Sequence, residues 1–135
     1  MSNNLYDKAR EKFLTGQFNW LTDTIKVALL DAALYTPNFA TDEFLAIVPG
    51  ASIIAAGVTL TGKSATGGAA DAADVTFSAV SGAQSEYLLL YKDTGDAATS
   101  SLIALLDSAT GLPITPNGGD IVIVWDNSST KILKL

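Results

Sequence analysis

Two stretches, Tyr87-Leu88-Leu89-Leu90-Tyr91 and Leu102-Ile103-Ala104-Leu105-Leu106, decide the fold class. Each is a nearly continuous apolar run, the pattern of a strand buried on both faces. Between them, Lys92-Asp93-Thr94-Gly95-Asp96 carries turn chemistry. Outward from this pair the hydrophobic period stays close to two. In Thr24–Asp31, Ile25, Val27 and Leu29 alternate with Lys26 and Ala28, as in a strand with one wet face. Val75–Val80 sets Val75, Phe77 and Ala79 on one face and Thr76 and Ser78 on the other. Ser52–Ala55 and Gly57–Thr61 read as separate strand pieces, and a turn of helix is weakly signalled over Asp42 to Ile47. Turn residues at Pro113–Gly119 and Asp126-Asn127 bracket a strand at Ile121–Trp125, and Lys131–Leu135 closes the series.

One segment has a helical period. Leu5, Ala9 and Phe13 recur at i, i+4 and i+8, with Tyr6 and Leu14 beside that stripe. Asn3 or Asn4 is the expected N-cap, Asp7 and Lys12 complement the helix dipole, and Gly16 is the expected terminator. So short a helix is unstable alone and must dock, either on its own sheet or on a neighbouring subunit. The predicted architecture is mainly β: an antiparallel β-sandwich or jelly-roll-like domain with one short N-terminal α-helix. A single domain is expected over residues 1–135, with a helix or arm at 1–16 and a β-rich body at 20–135. The small, polar stretch from Gly62 to Asp74 reads as a flexible loop.

A chain of 135 residues fits one domain with a self-sufficient core. With 48% apolar and 16% charged residues it is too apolar for a disordered chain. The scarcity of charge suggests a surface partly covered by partners, or simply a high alanine content. Net charge is −6 with only eight Lys and Arg, which argues against a nucleic-acid partner. Lys8, Arg10 and Lys12 interleave with Asp7 and Glu11 and read as a solvated helix face. No apolar run reaches the roughly 18–20 residues of a membrane span, so no membrane partner is expected. Met1 to Tyr6 lacks a secretory profile, which predicts a protein made in the cytoplasm. Cysteine and histidine are absent, excluding disulfides, thiolate zinc sites, cysteine nucleophiles and a Ser-His-Asp triad.

Several motifs invite a chemical reading. Gly57-Val58-Thr59-Leu60-Thr61-Gly62-Lys63-Ser64 satisfies the G-x-x-x-x-G-K-[ST] pattern of a phosphate-binding loop. That mechanism needs a flexible loop running into a helix N-terminus, whereas these residues alternate like a strand and lead into Ala-Thr-Gly-Gly. Asp71, Asp74, Asp93, Asp96 and Asp107 lack the spacing of a calcium loop and read as turn formers. Asn127-Ser128-Ser129 fits a glycosylation acceptor but reads as a turn. Phe13, Phe18, Trp20, Tyr87, Tyr91 and Trp125 read as core, with Trp20 and Tyr35 the expected exposed exceptions. No catalytic residue, cofactor or metal site is predicted.

The sequence as a whole resembles small virion structural proteins of tailed bacteriophages. The resemblance rests on Asn4-Leu5-Tyr6-Asp7-Lys8-Ala9-Arg10 with Phe13-Leu14, and on Trp20 through Lys26-Val27-Ala28-Leu29. It continues in Asp74-Val75-Thr76-Phe77-Ser78-Ala79-Val80, Tyr91-Lys92-Asp93-Thr94-Gly95, Gly111-Leu112-Pro113 and Pro116-Asn117-Gly118-Gly119-Asp120. It ends with Trp125-Asp126-Asn127 to Lys131-Ile132, and it is weakest over residues 32–50 and 62–74. It implies a non-enzymatic protein of the virion, first a decoration (cement) protein on the outer head surface. The alternative it implies is a tail- or fibre-associated module, binding receptor glycans through exposed Trp20 or Tyr35. The implied partners are the major capsid protein or tail proteins of the same virion. A homo-oligomer is also implied, a trimer being one form that capsid three-fold positions accommodate. The expected partner-contact residues are Leu5, Tyr6 and Phe13 on a detachable helix, Trp20, and the apolar Ile132 and Leu135.

Overall fold

The two apolar runs lie side by side. A computed structural model of the chain describes residues 4–107, 112–125 and 131–134. In chain order its elements are β1 (Asn4–Leu5), α1 (Asp7–Leu14), β2 (Ile25–Leu30), β3 (Ile53–Thr59), β4 (Ser64–Thr66) and β5 (Ala69–Asp71). Then follow β6 (Val75–Phe77), β7 (Tyr87–Lys92), β8 (Ser101–Leu106), β9 (Ile121–Ile123) and β10 (Leu133–Lys134). A five-stranded antiparallel sheet has the order β1-β8-β7-β2-β3, with Leu89 opposite Leu105 and Leu88 opposite Leu29. Two smaller antiparallel sheets, β10-β5-β4 and β6-β9, complete a mainly β, sandwich-like fold with one short α-helix.

Every residue of β8 is buried, as is Leu88–Tyr91 of β7, so both faces of the central sheet are covered. α1 packs against β8. Val75, Phe77, Ile121, Ile123, Ala70 and Leu133 of the small sheets, with Ile132 just before β10, join the same core as Ile103 and Leu105. Removing a large side chain such as Leu105 from water contributes about 1.5–3 kcal/mol. The outer edge of β8 is closed by two separate pieces of chain. Asn4 and Leu5 pair with Leu105 and Ala104, and the Tyr6 N–H donates to the Ile103 carbonyl. Farther along, the Leu102 N–H donates to the Glu43 carbonyl and the Leu45 N–H to that of Ser100.

The structure corrects several expectations. Asn4 belongs to a strand, and the α1 N-cap is Tyr6, with no side-chain cap, because the buried Tyr6 ring sets where the helix starts. Asn3 lies outside the described residues. α1 is not a detachable arm, since Ala9 is fully buried and β1 is zipped onto β8. The two strand pieces at 52–61 are one strand, β3, with register shifts against β2 that place extra residues on it. β6 ends at Phe77, and Ala79 turns outward at φ 50° instead of continuing the buried face. The Gly62–Asp74 stretch is not an irregular loop but contains the β4–β5 hairpin, turned at Gly67-Gly68, both with positive φ. The signal at Asp42 to Ile47 is a 3-10 turn at Leu45–Ile47. Gly16 does terminate the helical segment in a left-handed conformation (φ 76°).

Candidate functional site

Lys12 is the residue around which a cleft is built. On the amphipathic α1 it projects over the start of β8, where its ammonium donates to Ser101 Oγ at 2.7 Å. Its side chain is only 12% exposed and forms an ion pair with Glu43 at 3.0 Å. The same ammonium lies 4.5 Å from the Phe44 ring centre and 5.9 Å from that of Phe18. From the end of β7, Lys92 also reaches Phe18, 5.9 Å from its centre. Lys92 pairs with Asp23 at 3.4 Å and donates to the Gln17 carbonyl at 3.1 Å. Lys12 is therefore not part of a solvated helix face, whereas Lys8 and Arg10 remain in exposed i,i+3 pairs with Glu11 and Asp7.

Lys12, Phe18, Glu43, Phe44 and Lys92, with Thr94, Thr99 and Ser101, line a cleft of about 280 Å³. A second, shallower cleft of about 450 Å³ lies across Glu43 and Phe44, bounded by Thr41, Ala46, Ile47 and Ala98. The hydroxyls are already organised: Thr94 Oγ1 lies 2.5 Å from Thr99 Oγ1, and Ser100 Oγ donates to the Asp96 carbonyl at 2.8 Å. With each lysine paired to a carboxylate, the first cleft is close to neutral and is lined also by hydroxyls and the Phe18 and Phe44 rings. Such a surface suits a polar, uncharged segment of a partner better than an isolated ion. Lys12, Lys92, Phe44, Thr94 and Ser101 were not singled out as a group by the sequence, because nothing in its pattern joins residue 12 to residue 101.

Most of the expected partner-contact residues are placed in the core. Tyr6, Trp20 and Ile132 are buried, so their side chains have no surface to offer a partner. Trp20 instead donates its indole N–H to the Asp71 carbonyl at 3.1 Å, tying the loop before β2 to the β4–β5 hairpin. Leu5 and Phe13 are partly buried against the same core, Phe13 edge-on to Phe18 at 5.1 Å. Leu135 lies outside the described residues. Tyr35 is buried as well, correcting the expectation that it and Trp20 stand exposed. Its hydroxyl donates to Asp42 Oδ2 at 2.8 Å and lies 2.8 Å from Tyr6 Oη, which makes Tyr6 the donor to Tyr35. The Asn38 N–H also donates to Asp42, at 2.9 Å. Burial, first of all, pushes both tyrosines far above the ordinary phenol value near 10. This buried chain locks Tyr6, the residue before α1, to the 35–42 segment that leads into Glu43.

The remaining motifs resolve into structure. Gly57, the first residue of the phosphate-loop pattern, lies mid-strand, and Ser64 opens β4, so no helix N-terminus follows. Lys63 Nζ donates to the Asp23 carbonyl. Asp93 pairs with Lys26 at 3.1 Å; the Gly95 N–H, and then Lys26, hold its carboxyl below the usual range. Asp96 Oδ1 accepts from the Ala98 N–H at 2.9 Å, and Asp74 Oδ1 from the Trp125 N–H at 3.1 Å. Among the described residues no three carboxylates gather as a metal site, and no helix is long and apolar enough to cross a membrane. The glycosylation pattern at Asn127 lies outside the described residues. No protein-family model matches the chain, and no curated protein sequence matches it.

Proposed function

We propose that the chain is a non-enzymatic structural protein of a tailed-phage particle, a decoration (cement) protein held on the outer head surface. The reading draws on the sequence resemblance, which runs through most of the chain. The observation that carries it is the pair of clefts flanking Glu43 and Phe44, with the exposed Ile47 bordering the second and further apolar side chains left in solvent elsewhere. Ile47, 57% exposed, borders the second cleft; Leu14, 87% exposed, ends the helix that carries Lys12; Leu21, 53% exposed, sits in the turn that holds Asp23. Exposed aliphatic groups beside preformed clefts gain from being covered, as they are in a stable assembly. The glycan contact expected of a tail module was placed on exposed Trp20 or Tyr35, and both lie in the core, so that contact has no support here.

The test is to separate heads from tails of the parent particle and count this protein in each by quantitative mass spectrometry. Hundreds of copies on heads are expected. A few copies on tails, or none on either, would overturn the reading. In reconstitution, Ile47→Asp is expected to weaken binding to undecorated heads while leaving the isolated protein folded.

A further inference from the structure

The central sheet has two edges, and the chain treats them differently. Along β8 the edge is covered from Ser100 to Leu105 by Glu43–Leu45 and Asn4–Tyr6. At the opposite edge β3 pairs with β2 on one side, and no described strand pairs with its other side. An open edge presents backbone N–H and C=O groups that an extended segment satisfies best. Natural edges are blunted by lysine, proline, inward charge or bulges, and Ile53–Thr59 (IIAAGVT) has none of the first three, only the register shifts against β2. These shifts bend the strand, and among the described residues no backbone hydrogen bond reaches its outer side.

Beside this edge runs a groove of about 260 Å³, with Ile54, Ala55 and Val58 on one wall and Phe77–Ser81 on the other. The second wall is pinned in place. The Val80 N–H donates to the Gly119 carbonyl at 3.0 Å, the Gly118 N–H to Val80 at 2.7 Å, and the Ala79 N–H to Asp120 Oδ1 at 3.0 Å. Neither wall carries a charged side chain, in a molecule whose net charge is −6. A partner strand bearing carboxylates or ammonium groups would have to desolvate them against Ile54 and Val58. A strand made of uncharged, extended residues meets no such penalty.

We propose that this edge is a self-association site, in which β3 of one copy pairs antiparallel with β3 of a second about a two-fold axis. The occupant satisfies both requirements at once, since it is extended and uncharged along its whole length. The geometry also limits the assembly. Each copy contributes the β3 edge of its central sheet, and pairing that edge with itself about a two-fold axis leaves neither copy's β3 edge open, so growth through it stops at two. The inference stands apart from the virion reading, because it concerns a different face and needs no other protein.

The test is sedimentation velocity of the full chain from low to high micromolar concentration. A concentration-dependent dimer is expected. Thr59→Lys and Ser81→Lys, both at exposed positions flanking the groove, are expected to weaken it at least tenfold without changing the circular dichroism spectrum. Ile47→Ser, on the face of the clefts, is expected to leave it unchanged. Hydrogen exchange supplies a readout free of substitutions: β3 amides should gain protection with concentration while those of Asn4–Tyr6 do not. A monomer at every concentration, a trimer, a dimer indifferent to both lysines, or one abolished by Ile47→Ser would each overturn the proposal.

Discussion

Replacing Gly57 by alanine should destabilise the protein for a reason that lies two strands away. The ring of Tyr91 on β7 lies across Lys26 of β2 onto Gly57 of β3, and Gly57 leaves room for it. An added Cβ would overlap the Tyr91 hydroxyl, stand 3.0 Å from its Cζ, and press on Lys26 Cβ at 3.1 Å. Gly57 does not have the positive φ that would itself require glycine, so the whole penalty is steric. Tyr91 is 6% exposed, and turning its ring out would forfeit about 1.5–3 kcal/mol of burial. Partial accommodation by shifts in the core costs about 1–3 kcal/mol, so the two routes agree in size. Against this, alanine restricts the unfolded chain and returns about 0.4–1 kcal/mol. The net expectation is a loss of about 0.5–2.5 kcal/mol, read as a lower urea midpoint at unchanged slope. In a Tyr91→Leu background the obstruction is gone, and Gly57→Ala should become neutral or stabilising by up to about 1 kcal/mol. The double-mutant cycle is decisive. An equal loss in both backgrounds would show that Gly57 does not serve to seat Tyr91, and the packing argument would fail.

Three further outcomes follow from the described contacts. Tyr6→Ala, or deletion of residues 1–15, should cost about 3–5 kcal/mol or unfold the domain, since it empties a fully buried site; a thermal melt that barely moves would contradict the docking of β1 and α1. Because burial raises Tyr6 and Tyr35 in the folded state, stability should be level below about pH 10 and fall above it, by about 1.4 kcal/mol per pH unit for each tyrosine. Tyr6→Phe should reduce that slope by removing one of the two groups, as read from urea midpoints between pH 7 and 11. Lys63→Ala should lower stability by about 1 kcal/mol, one hydrogen bond to a carbonyl, and neither form should bind a Mg²⁺–nucleotide in calorimetry.

The core was legible and the surface was not, for physical reasons. Leu88–Leu90 and Leu102–Leu106 announce themselves because a strand buried on both faces has no polar positions to obscure the signal. Ile25, Val27 and Leu29 were read correctly as buried, but Ala28 and Leu30 are buried too, since both faces of the central sheet are covered. Tyr6 and Trp20 misled because an aromatic near the start of a chain, or in an irregular segment, reads as free. Only the partners supplied from afar, Tyr35 with Asp42 and the Asp71 carbonyl, show that each is anchored. The β4–β5 hairpin was missed because its residues are small and polar, and its pairing with β10 is a tertiary effect without local pattern. The Lys12–Glu43–Ser101 cluster draws on three distant parts of the chain, which no spacing rule connects.

The closure of the β8 edge has a consequence for how the protein is made. Asn4 pairs with Leu105, a residue the ribosome adds roughly a hundred positions later. At about 5–20 residues per second, the first strand waits some 5–20 seconds for its partner to be synthesised, and longer for it to clear the exit tunnel. During that interval Tyr6, Ala9 and the apolar run of β7 have no complete core to enter. Folding of the central sheet is therefore a late event in translation, and a chain stalled before Ser101 would expose its stickiest residues to whatever chaperone is nearest.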